Sequence, residues 1–157
     1  MSAEVVFVPG FMQRGATWEQ VAGEVAERYP SSCIDFATWT FGERVDELLD
    51  AAPPGSAVVG YSLGGRIALH AAARDPGRFA AIVLISATPG IEDRAERAER
   101  ERVDDELAAW MEGASIEEVV ARWERLWIFA TQAPEVVAAQ RPGRLSHDPA
   151  NLAKLLR

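Results

Sequence analysis

Residues 57–73, AVVGYSLGGRIALHAAA, constrain this chain more than any other stretch. A short apolar run, Ala57 to Val59, meets Gly60-Tyr61-Ser62-Leu63-Gly64, and a helical pattern of small and aliphatic residues follows. Strand, sharp turn and helix in that order form the setting in which G-x-S-x-G presents a serine for chemistry, a nucleophile elbow. The turn strains the backbone at Ser62, which only flanks without bulky side chains tolerate. Gly60 and Gly64 let strand and helix approach closely, and Gly65 keeps the first helical turn slim. The Ser62 hydroxyl would then stand above a sheet at a helix N-terminus, where free N–H groups favour developing negative charge. A bare Gly-Ser turn shares the five-residue pattern but lacks the strand and helix around it.

The rest of the chain alternates in the same way as far as Ser86. Glu4–Val8 reads as a buried strand ended by Pro9-Gly10. Thr17 is the expected N-cap of a helix from Trp18 to Arg28, with Val21, Val25 and Tyr29 on one face and Pro30 closing it. Cys33–Thr38 reads as a weaker strand and Gly42–Asp50 as a short helix ended by Pro53-Pro54-Gly55. The helix after Ser62 stops before Asp75-Pro76-Gly77, and AAIVLIS within Phe79–Ser86 has the composition of a fully buried strand. Alternating strands and helices imply right-handed βαβ units and a parallel sheet.

Beyond Ser86 no segment resembles a strand. Glu92–Met111 is a charge-dense helix, with Glu96/Arg100 an attractive and Glu101/Asp105 a repulsive pair at spacing four, and apolar only at Val103, Leu107, Trp110 and Met111. Ser115 and Glu118 form a capping-box pattern before Val119, Val120, Trp123, Leu126 and Trp127. Pro134–Gln140 and Pro149–Arg157 complete four helical segments, read as a cap lying over the sheet. The organisation expected is a core over 1–90 and a helical cap over 91–157.

A length of 157 residues, 48% of them hydrophobic and 25% charged, describes one soluble globular chain with room for a core. The net charge of −8 argues against nucleic acid and anionic membrane as partners. Cys33 is the only cysteine, which excludes an internal disulfide and favours a reducing compartment, so a cytoplasmic protein is expected. No run suggests a transmembrane span, a metal-ligand spacing or a phosphate-cradling loop, and no cofactor is implied.

A serine hydroxyl acts as base or nucleophile only when a neighbour takes its proton and donors hold the resulting charge. One donor is the backbone N–H of Leu63. The other is expected from Pro9-Gly10-Phe11-Met12, as the N–H of Phe11, although that loop could equally be a simple tight turn.

The segments VPGFM, GYSLGGR and SATPGI, with the Arg-rich helices after them, resemble the α/β-hydrolase superfamily. Within it the chain is similar to the SHCHC synthases (2-succinyl-6-hydroxy-2,4-cyclohexadiene-1-carboxylate synthases) of menaquinone biosynthesis, from Val5 to Arg157. Arg66 after the Gly pair, Pro89-Gly90, Arg100 with Asp104, and Trp123 carry that finer likeness. The resemblance implies a lyase that eliminates pyruvate from a succinyl-cyclohexene carboxylate, with Ser62 as an activated base rather than an acylated nucleophile. It implies Tyr61, Arg66, Arg100, Trp123 and Arg144 as substrate-binding residues, with Phe11 and Leu63 forming the oxyanion hole. A small-molecule carboxylate substrate suits arginine forks in an acidic protein. Each arginine could instead be a surface or ion-pair residue, with Arg94, Arg97 and Arg102 rivals to Arg100 and Arg141 a rival to Arg144. Trp123 could be plain core.

The sequence departs from the family in two places. Pro9-Gly10 stands where the family usually has His-Gly, which removes a side chain but not a backbone donor. The acid and histidine of a triad should follow the cap, yet the only histidines are His70, more than two helical turns past Ser62, and His147, in a turn with Ser146, Asp148 and Pro149. The expected fold is therefore a truncated α/β-hydrolase fold of about four parallel strands flanked by helices, with a helical cap after the last. The family's strand order puts the Cys33 strand outermost, then Glu4–Val8, Ala57–Gly60 and Ala81–Ser86. That leaves Ala81–Ser86 as an edge with Val83, Ile85 or their neighbours exposed, open to a C-terminal complement or to self-association. The rival readings are an ester, amide or thioester hydrolase acting through acyl-Ser62, and a non-catalytic fragment or binding module.

Overall fold

The computed structural model describes residues 4–157, and these fall into two compact units that divide between Gly90 and Ile91. In the first unit, four parallel strands form one sheet in the order β2-β1-β3-β4: β1 Val5–Val8, β2 Ser31–Cys33, β3 Ala57–Tyr61 and β4 Ala81–Ile85. Helices α1 (Glu19–Ala26), α2 (Phe41–Ala51) and α3 (Leu63–Arg74) link them. Register runs Val5↔Ala57↔Ala81 through Val8↔Gly60↔Leu84, so the ends of β1, β3 and β4 come level beside Ser62. The expected strand order and alternation are both present.

Val6, Val8, Val58, Leu48, Ile67 and Ala68 anchor the core that joins the sheet to α2 and α3. Each large aliphatic side chain fully buried there contributes about 1.5–3 kcal/mol. Thr40 and Glu43 form a reciprocal capping box that starts α2. Arg78 closes its other end, donating from Nη2 to the carbonyls of Leu49 (2.5 Å) and Ala52 (2.8 Å). Arg44 is buried on α2 with its guanidinium over Phe36 and Trp39, and burial pulls its pKa down to about 10. The Cys33 thiol is pushed up by burial and by Glu19 and Asp35.

Several local expectations are corrected. Thr17 does not cap α1: it lies inside a 3-10 turn, Gly15–Trp18, and its N–H donates to the Arg14 carbonyl (3.0 Å). Gly15 is pinned there by its N–H to Asp35 Oδ1 (3.0 Å), which delays the helix to Glu19. α1 also buries a different face, Ala22, leaving Val21 and Tyr29 exposed, because Ala22 meets β2 and its carbonyl takes the Ser31 hydroxyl (2.8 Å). The second strand is Ser31–Cys33 rather than Cys33–Thr38. Pairing with β1 ends at Cys33, while Ile34 and Phe36 are buried without extending the ladder.

β4 takes the edge position that the expected strand order gives it, rather than the full burial that its composition alone suggests. Among the described residues it pairs with β3 alone, and Val83, Leu84 and Ile85 are 49%, 39% and 39% exposed, on both faces of the sheet, as an edge position requires.

The second unit is helical: α4 Arg94–Glu112, α5 Ile116–Trp123, α6 Pro134–Leu145 and α7 Pro149–Leu156, with a 3-10 turn at Trp127–Phe129. α4 packs along α7, and Ala108, Met111, Val119, Val120, Leu152 and Ala153 are buried. Asp93 and Asp148 cap α4 and α7, and the Ser115–Glu118 capping box starts α5 as expected. α5 ends at Trp123, so Leu126 and Trp127 do not continue its apolar face, and Trp127 is 84% exposed. α6 runs past Gln140 and through Pro142. Proline removes one helical hydrogen bond there, but the buried ion pair described below holds the last turn. Among the described residues no helix is long and apolar enough to cross a membrane.

Candidate active site

Ser62 sits between the last residue of β3 and the first of α3, with φ 51° and ψ −116°. Side-chain-bearing residues rarely adopt such a positive φ, and holding one there costs of order 1–3 kcal/mol. Packing enforces it. A Cβ on Gly60 would fall 2.6 Å from Gly65 Cα and 2.7 Å from the Gly64 carbonyl oxygen. One on Gly64 would press into the Val8 carbonyl and lie 2.5 Å from that of Pro9. A Cβ on Gly65 would meet Ala87 Cβ at 2.5 Å. Strand, turn and helix interlock so closely that glycine alone fits at all three positions. The Ser62 N–H donates to the Ile85 carbonyl (2.9 Å), and its own carbonyl accepts from Arg66 N–H (3.2 Å).

The loop after β1 lies against the same turn. The Gly64 contacts place Val8 and Pro9 on the start of α3, and a Cβ at Gly10 would be 2.9 Å from the Tyr61 ring. The loop is a tight turn: Gly10 N–H donates to Gln13 Oε1 (2.9 Å), and Gln13 N–H donates to the Gly10 carbonyl (3.2 Å). Met12 is buried at φ 57°, which makes it a second residue of left-handed backbone within the cluster. Phe11 lies between these fixed points. The first unit thus gathers Tyr61, Ser62, Leu63 and the Phe11 loop at one end of the sheet. Gln13 was missed in the sequence, where its only signal is a polar side chain three residues after Gly10.

Arg66 is exposed one turn into α3, its guanidinium 5.6 Å from the Phe41 ring centroid. His70 meets the same ring edge-on at 4.8 Å. Eight residues at about 1.5 Å rise put His70 roughly 12 Å along the helix from Ser62, so it cannot serve Oγ.

The other expected residues lie in the second unit. Arg144 is buried (3% exposed) and donates to Glu124 Oε1 (3.0 Å) and Gln140 Oε1 (2.6 Å). Arg141 pairs with the other Glu124 oxygen. Trp123 and Arg144 meet over one ring, Phe129, at 5.5 and 5.7 Å. Arg100 stands apart on α4, paired with Asp104 at 2.7 Å. Glu124, which organises the arginines of α6, was not singled out in the sequence because its partners lie 17 and 20 residues away.

A family model for the α/β hydrolase fold matches residues 5–134. A Bacillus subtilis (strain 168) relative, provisionally named a 2-succinyl-6-hydroxy-2,4-cyclohexadiene-1-carboxylate synthase, is 38% identical over 102 residues, 63% of this chain and 37% of that protein. The synthase of that name from Escherichia coli O1:K1 is 35% identical over 103 residues, 63% of this chain and 39% of its own. Among solved structures, MenH from S. aureus has a TM-score of 0.83 at 30% identity, over 99% of this chain and 65% of that one. The matches therefore span less than two-fifths of these curated relatives' length, and under two-thirds of the solved structure. The turn that holds Ser62 falls inside the matched region, and this chain belongs to the α/β hydrolase fold family.

Proposed function

We propose that this chain carries the reactive serine of an SHCHC-synthase-like lyase, which eliminates pyruvate from a succinyl-cyclohexene carboxylate in menaquinone biosynthesis, in the cytoplasm. The observation that carries the proposal is the backbone of Ser62, held at φ 51° where three glycines leave no room for a Cβ. Strain of this kind persists where surrounding packing over-determines it, and it clusters at reactive residues. In this reading the turn is a nucleophile elbow. Deprotonated Ser62 Oγ removes a carbon-bound proton, the electron pair released expels pyruvate, and the N–H groups of Leu63 and Phe11 hold the developing oxyanion. The likeness to the named synthases and to MenH supports the substrate class.

Arg66, Arg100, Arg144, Tyr61 and Trp123 are the proposed substrate contacts. Among the described residues, Arg66 is the one of these arginines with no carboxylate partner, since Asp104 and Glu124 engage the other two. The proton leaving Ser62 needs an acceptor. His70 is turned to Phe41, so that role falls to the histidine that the family carries after the cap.

The test uses the natural protein with the succinyl-cyclohexene substrate and, separately, with simple esters. Pyruvate release with negligible ester turnover is the expected result. Ester turnover with a fluorophosphonate adduct on Ser62 and no pyruvate would favour the acyl-serine hydrolase instead.

A further inference from the structure

The loop that follows β1 carries the N–H required of Phe11 in the proposed reaction, and the most pliable residue of that loop is Gly10. Glycine samples more backbone than any other residue. This one has no room to become anything stiffer, because a Cβ on it would lie 2.9 Å from the Tyr61 ring. The aim of the Phe11 donor depends on it. A peptide unit is planar and trans, so the Phe11 N–H points opposite to the Gly10 carbonyl. Any swing of that carbonyl swings the donor with it.

Gln13 fixes the peptides on both sides of Gly10. Its backbone N–H donates to the Gly10 carbonyl (3.2 Å), which sets the Gly10–Phe11 peptide. Its side-chain Oε1 accepts from the Gly10 N–H (2.9 Å), which sets the Pro9–Gly10 peptide. The first is an ordinary turn bond, open to any residue but proline. The second needs a side-chain acceptor of the right reach three residues on. Gly10 is buried, so without Oε1 its N–H would have to find another partner, at the expense of the present loop geometry. The neighbours on either side are already stiff: the Pro9 ring locks its own φ, and Met12 is buried at φ 57°.

We propose that Gln13 is a positioning residue of the oxyanion site. Its side chain locks Gly10 so that the Phe11 N–H stays aimed at the charge developing beside Ser62. This role rests on the reaction proposed for Ser62, in which Phe11 supplies one of two donors. The resemblance to the synthases assigns nothing to Gln13.

The natural protein would be assayed for pyruvate release as wild type, Gln13→Met, Gln13→Ala and Ser62→Gly, with thermal melts and the Gly10 amide followed by NMR. Both Gln13 variants remove the acceptor, methionine at nearly constant volume. Each should stay folded at the assay temperature and lower kcat about 10–100-fold, because a donor that wanders serves the transition state less well. KM should change little, since the oxyanion is absent from the ground state. The Gly10 amide proton should shift upfield and exchange faster with solvent. Wild-type kcat in Gln13→Met, an unmoved Gly10 amide, or a loss expressed in KM instead of kcat would overturn the role of Gln13, while an inactive Ser62→Gly still upholds the serine. Pyruvate release by Ser62→Gly near the wild-type rate, or none by the wild type, would overturn the reading of Ser62 and this proposal with it.

Discussion

The Ser62 N–H donates to the Ile85 carbonyl at 2.9 Å, so the strained residue of the turn is tied to the last residue of the neighbouring strand. A backbone bond is indifferent to the side chain, whereas the cost of φ 51° falls on any residue with a Cβ. Ser62→Gly should therefore keep the bond and relieve the strain. The expected gain is about 1 kcal/mol in unfolding free energy, read from urea melts of the two proteins.

Glycine substitutions should separate by location. Gly64→Ala drives a methyl group into the Val8 and Pro9 carbonyls, which belong to backbone and cannot swing aside. Overpacking of that kind costs about 1–3 kcal/mol or more. Gly23 lies within α1, where a Cβ would meet nothing within 4 Å among the described residues, so Gly23→Ala should stabilise by about 0.5–1 kcal/mol. Thermal melts of the two variants should move in opposite directions.

The two candidate substrate arginines of the helical unit should differ in stability cost. Removing buried Arg144 leaves Glu124 with a single, half-exposed partner, Arg141. Breaking a buried pair typically costs about 3–5 kcal/mol, so Arg144→Ala should lower the melting temperature clearly. Arg100 is an exposed i,i+4 pair with Asp104, worth about 0.3–0.5 kcal/mol, and Arg100→Ala should be nearly silent in the same melt.

Acid should loosen α5 through its capping box. The Ser115 N–H (2.8 Å) and then its hydroxyl (2.9 Å) donate to Glu118, holding that carboxyl below its ordinary value of 4.5. A folded-state value below the unfolded one means the contribution is present above the unfolded value and is lost as pH falls through the folded one. Carboxyl-carbon NMR should show Glu118 titrating below its ordinary value of 4.5, and Ser115→Ala should bring it back up towards that value.

Local features were legible in the sequence where one chemical cause decides them. Apolar runs bounded by Pro-Gly mark β1, β3 and β4, and Ser115 with Glu118 marks the start of α5. Ser62 and its glycines could be read because one packing constraint demands all of them within six residues. Features set by distant partners could not. Ser31–Cys33 is a strand only because it pairs with β1, and α6 runs on past Pro142 to Arg144, which Glu124 holds from the end of α5. β4 shows the same limit from the other side. Its composition asks for burial, and only the strand order carried over from the family showed that, among the described residues, it has a neighbour on one side alone.

Pyruvate release by Ser62→Gly in the natural protein tests the central claim most directly. Removing a side chain that acts as the catalytic base should lower kcat by about 10⁴–10⁶, with KM little changed and melting temperature no lower than wild type. A Ser62→Gly protein that releases pyruvate within about tenfold of the wild-type rate would show that Ser62 is not the reactive group.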